Sequence, residues 1–98
     1  MDSPREVILG IAWFRPEQWE QLREVAVDAD ILERTHGEWE KLARQTIKDL
    51  ARQGILARRV DVDVQRLQAW CADHQRPLDA SARAAYASER LRHGTEFA

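Results

Sequence analysis

The sequence holds a single cysteine, Cys71, in 98 residues. One thiol closes no internal disulfide, so that staple is not available. No apolar run approaches the roughly 18–20 residues of a membrane span. The first residues, MDSPREVILGIAW, lack the basic segment and small-residue cleavage site of a signal peptide. A cytoplasmic protein without a membrane partner is therefore expected. There is no Gly-, Ser- or Pro-rich stretch to act as a linker and no internal repeat. Neither sign of charge dominates. Residues 1–50 carry 7 basic and 11 acidic side chains (7 − 11 = −4), and residues 51–98 carry 8 and 6 (8 − 6 = +2). The total of −2 provides no global basic field, which disfavours nucleic acid as a partner. Thirteen of the 15 basic residues are Arg, which with the many alanines reads as a mark of GC-rich coding rather than of RNA binding.

What is present fits a soluble globular chain. Hydrophobic residues make up 44% and charged residues 33%, enough for one modest core in one domain, 1–98, with an ordered part of about 6–92. The most strongly patterned stretch is WEKLARQTIKDLARQ. Trp39, Leu42, Ala43, Ile47 and Leu50 form one stripe of a 3.6-residue period, with Glu40, Lys41, Arg44, Lys48 and Asp49 turned away. Thr35 and Glu38 have the spacing of a capping box, and Gly54 can end the helix in the left-handed conformation. The spacing predicts a helix over 36–53 whose four large apolar side chains are buried and indispensable.

The remaining elements follow in order. EVILGIAWF (6–14) is short, β-branched and aromatic, and reads as a strand apolar on both faces, hence covered on both. Gly10 within it signals a close backbone approach or a bulge. Pro16 opens a helix carrying Trp19, Leu22 and Ala26 and ending near Val27. Asp28–Asp30 is a turn with Ile31 and Leu32 tucked beneath. Ile55–Val62 alternates and reads as a half-buried strand. Asp63 caps a helix over 64–74 with Val64, Leu67, Trp70 and Cys71 inward. Asp79 caps a last helix over 80–92, with Ala80, Ala84, Ala87 and Leu91 on one stripe beside Tyr86, and the last four residues fray. The expected class is α/β, with α+β open: order β-α-α-β-α-α, a two-stranded sheet covered by helices. Two strands make a poor sheet, so either a short third strand exists or two chains pair strand edges as a homodimer.

GIAWFRPEQW, WEKLARQTIKDLARQGI and VDVDVQRLQAWC together resemble a family of small bacterial proteins, a domain of unknown function. In it a strand ending in an aromatic pair leads into Pro-x-x-Trp, and a later strand leads into a helix carrying Ala-Trp-Cys. The resemblance covers most of residues 7–92 and implies a fold and a bacterial origin, but no activity.

No catalytic or metal site stands out, no cofactor is implied, and the reading leans to a protein that is not an enzyme. Cys71 and His74 have a zinc-compatible spacing, yet Cys71 falls on an apolar helix face and reads better as a core thiol. Asp61 and Asp63 could hold Mg²⁺ with a phosphate, but read better as a solvated strand position and a helix cap. His36 is expected exposed in a first helical turn. Arg58, Arg59, Arg83, Arg90 and Arg92 could form a basic patch, and read better as ordinary surface charge. Trp13, Arg15 and Trp19 bracket a strand end and a helix start, where ligands of parallel α/β folds sit, and form a candidate site for an anionic or planar ligand. Three functions are weighed: a protein–protein interaction or regulatory module acting as a homodimer, a small-molecule or anion-binding domain using that junction, and a nucleic-acid binder using the C-terminal arginines.

Overall fold

The computed structural model of the chain describes residues 7–94. The elements run β1 (Val7–Trp13), α1 (Pro16–Val25), a short 3-10 turn (Ala29–Ile31), α2 (His36–Arg52), β2 (Ile55–Asp61), α3 (Val64–Asp73) and α4 (Ala80–Gly94). This is a small α/β fold. The two strands are parallel, with Val7 opposite Ile55 and Trp13 opposite Asp61. Parallel neighbours need a long crossover, which α1, the 3-10 turn and α2 provide. No third strand occurs among the described residues. Glu6, the expected start of the first strand, and the four residues expected to fray lie outside them.

The helix boundaries follow local chemistry. Pro16 sits at the first position of α1. The Thr35 hydroxyl accepts from the Glu38 N–H at 3.2 Å, one half of the expected capping box. Asp63 caps α3 by accepting from the Arg66 N–H at 3.1 Å, and Asp79 caps α4 by accepting from the Ala82 N–H at 2.9 Å. Gly54 closes α2 at φ +82°. After α3 the Arg76 N–H reaches the Cys71 carbonyl and the Gln75 N–H the Ala72 carbonyl, a Schellman motif. Its left-handed position is taken by Gln75 at φ +53°.

The two faces of the sheet are covered unequally. α4 lies against β1 and α2 against β2. The approach of α4 explains Gly10: a Cβ there would come within 2.8 Å of the Ala87 carbonyl oxygen, so the helix rests on bare backbone. Small residues do pack closely in α4, but the inner set is Ala82, Tyr86 and Ala87, while Ala80 and Ala84 face solvent.

The core is not where the strongest periodicity points. It lies among α1, α3, α4 and the ends of the strands: Phe14, Trp19, Leu22, Val62, Val64, Leu67, Cys71, Leu78, Ala82 and Tyr86. Of the expected α2 stripe only Ala43 is buried; Trp39, Ile47 and Leu50 are half-buried and Leu42 is 54% exposed. A two-stranded sheet is too narrow to cover the apolar face of a 17-residue helix. The expectation that β1 is covered on both faces also fails within one chain, because Ile8 and Leu9, on opposite faces, are each 39% exposed. Ile31 is 69% exposed rather than tucked under its turn, while Leu32 packs on the core.

Long-range polar contacts tie the layers together. Gln18, buried in α1, accepts from the Val64 N–H at 2.8 Å. Arg83 of α4 grips Asp28 through two hydrogen bonds of 2.9 and 2.8 Å.

Candidate functional site

The carboxyl end of β1 gathers the aromatic residues. Trp39 is the hub, with ring centroids 4.9 Å from Trp13, 5.7 Å from Phe14, 5.2 Å from Trp19 and 5.2 Å from His36. His36 is not the exposed residue expected. Its side chain is 13% exposed and its Nε2 lies 2.6 Å from the Phe14 carbonyl oxygen. A carbonyl only accepts, so Nε2 carries the proton and Nδ1 faces Glu40 at 3.8 Å.

The three candidate ligand residues differ in burial and in the groups they contact. Trp19 is 3% exposed, stacks on Trp39, and donates its Nε1–H to the Glu33 carbonyl at 3.0 Å, so it offers no ring face to a ligand. Arg15 projects into solvent, 3.6 Å from Glu17. Trp13 packs against Trp39 at 4.9 Å, half-buried, with the Arg44 guanidinium 5.6 Å and the Arg59 guanidinium 5.0 Å from its ring centroid.

Beside Trp13 runs a groove between α2 and β2 of about 290 Å³, lined by Arg44, Ile47, Lys48 and Arg59. Arg44 also holds Glu40 at 2.6 Å. That hydrogen bond keeps the Glu40 carboxyl below its ordinary pKa, with the charges of Arg44, His36 and Arg59 assisting and partial burial opposing. Their position off the apolar stripe places Arg44 and Lys48 on the solvent side of α2. Their spacing of four residues on one helix face was a signal that they act together, but only the fold reveals that this face borders Arg59.

The other sequence candidates resolve simply. Cys71 is buried and burial raises its thiol pKa, which suits a core residue rather than a nucleophile. His74 turns its Nδ1 to the Trp70 carbonyl at 2.8 Å, and no group of three His, Cys, Asp or Glu side chains suited to a metal occurs among the described residues. Asp63 is a cap and Asp61 ends β2. The C-terminal arginines disperse: Arg83 is bound by Asp28, Arg58 and Arg92 line a second groove of about 390 Å³ with Ile8 and Leu91, and Arg59 lies on the opposite face. No helix among the described residues is long and apolar enough to cross a membrane.

Among the described residues the two-stranded sheet leaves one edge of each strand unpaired, and the two edges differ in charge. β2 pairs with one edge of β1 only. Among the described residues, residues 7–12 make no main-chain hydrogen bond outside that pairing. The strand VILGIAW has no charged side chain, whereas β2 carries Arg58, Arg59 and Asp61. No protein-family model matches the chain, and neither a curated protein nor a solved structure shows significant similarity to it.

Proposed function

We propose that this chain is a non-enzymatic protein-interaction module that acts as a homodimer, joined along the free edge of β1. The observation that carries the reading is that edge: seven residues long, uncharged and unpaired among the described residues, with Ile8 and Leu9 half-exposed beside it. Proteins that keep an edge solitary usually charge it, bend it or cover it. β2 is charged in that way and β1 is not. A two-fold axis normal to the sheet brings two β1 strands together antiparallel and produces a four-stranded sheet, β2-β1-β1-β2, by an isologous contact. Pairing β1 sets no charge against its twin. Pairing β2 would bring together strands that each carry two arginines. The buried thiol of Cys71 suits a reducing compartment, the cytoplasm, and the resemblance to small bacterial proteins agrees with it.

Light scattering after gel filtration, over a wide range of protein concentration, tests the reading. The wild-type chain is expected at twice the chain mass on dilution. Leu9→Lys, which places a charge beside the shared edge, is expected as a folded monomer. A wild-type monomer at every concentration would overturn the proposal.

A further inference from the structure

The α2–β2 groove has the chemistry of an anion site, independently of how the chain associates. Three cationic side chains, Arg44, Lys48 and Arg59, line a single space of about 290 Å³ whose apolar wall is Ile47. The guanidinium groups of Arg44 and Arg59 lie 5.6 and 5.0 Å from the Trp13 ring centroid, within cation–π range of one ring. Glu40, held by Arg44 and close enough to Arg59 to feel its charge, offsets part of the positive charge of the cluster. Asp61, two residues beyond Arg59, shares its face of β2. Lys48 has no ion-pair partner among the described residues. Like charges lining one groove repel one another, and a multivalent anion relieves that repulsion. Arg44 already donates through Nε and Nη2 to Glu40, so the Arg59 guanidinium fork is the one that fits two oxygens of a phosphoryl group, and the Lys48 ammonium supplies a point charge to a third. The volume is at the lower limit of ordinary ligand sites, roughly 300–1,000 Å³, so it suits a small molecule.

We propose that the groove formed by Arg44, Ile47, Lys48 and Arg59 beside Trp13 binds the phosphoryl group of a small phosphorylated ligand. Titration calorimetry of inorganic pyrophosphate into the full chain at low ionic strength tests this. Saturable binding of one pyrophosphate per chain is expected, with Arg59→Ala and Lys48→Ala each weakening it about tenfold or more. Arg15→Ala and Arg92→Ala, both outside the groove, are expected to leave the affinity unchanged. Lys48 is exposed, so Lys48→Ala reads the site even where Arg59→Ala disturbs the packing of Trp13. Absence of saturable binding overturns the proposal. So does an equal loss in Arg92→Ala, which would mean diffuse charge. Binding of a single-stranded oligonucleotide with no response to pyrophosphate overturns it too, in favour of a nucleic-acid surface.

Discussion

Asp28 and Arg83 show how single residues hold this fold. They are 55 positions apart, and their side chains are only 17% and 12% exposed. Arg83 thereby ties the loop after α1 to α4, beside the main-chain bond from the Val27 N–H to the Leu78 carbonyl. The hydrogen bonds from Arg83 hold the Asp28 carboxyl below its ordinary 3.8, burial opposes this, and the Arg83 charge adds to it. Because the folded value is the lower one, the pair contributes its full stability above the unfolded pKa and loses it as pH falls through the folded pKa. Chemical denaturation of Arg83→Ala at neutral pH should show a loss of about 3 kcal/mol, since removing one partner strands a largely buried charge. The gap in stability between wild type and Asp28→Asn should be widest at neutral pH and shrink as the solution is acidified below about pH 4. A gap independent of pH would mean that the carboxylate charge plays no part.

At the scale of elements, α2 separates what periodicity reveals from what it cannot. Its existence, its Thr35 cap and its Gly54 stop were all legible, because they depend on residues within a turn or two of one another. The caps Asp63 and Asp79 and the close approach at Gly10 were legible for the same reason. Burial was not. A stripe shows which way a helix faces, but not whether anything wide enough lies opposite. The α2 stripe meets a two-stranded sheet, and only its first turns reach the aromatic cluster. The same limit hid the groove, since Arg59 becomes a neighbour of Arg44 only when β2 pairs with β1. It also made Trp19 look available when its position placed it in the core. Two truncations in α2 should therefore differ sharply. Trp39→Ala removes the ring that joins Trp13, Phe14, Trp19 and His36, and should cost about 3 kcal/mol in thermal or chemical denaturation. Leu42→Ala, at a side chain more than half exposed, should change stability by about 0.5 kcal/mol or less. Equal losses would mean that the whole stripe is buried in solution.

For the molecule as a whole, one fact organises the rest: a parallel sheet of two strands leaves more apolar surface than a single chain covers. Parallel sheets are ordinarily buried on both faces and wider than this one. Here Leu56 (43%), Ile8 and Leu9 remain exposed on or near the sheet, and the residues that close the core sit at its carboxyl end. The proposed doubling of the sheet across β1 would use the uncharged edge, retain the charged edge of β2 as the outer rim, and leave the Arg44–Lys48–Arg59 groove facing α2 in each copy. The most direct measurement is an isotope-filtered NOE experiment on a mixture of labelled and unlabelled chains. The account predicts intermolecular contacts between backbone protons of residues 8–12 in opposing β1 strands. Intermolecular contacts confined to other elements, or none at all, would contradict it.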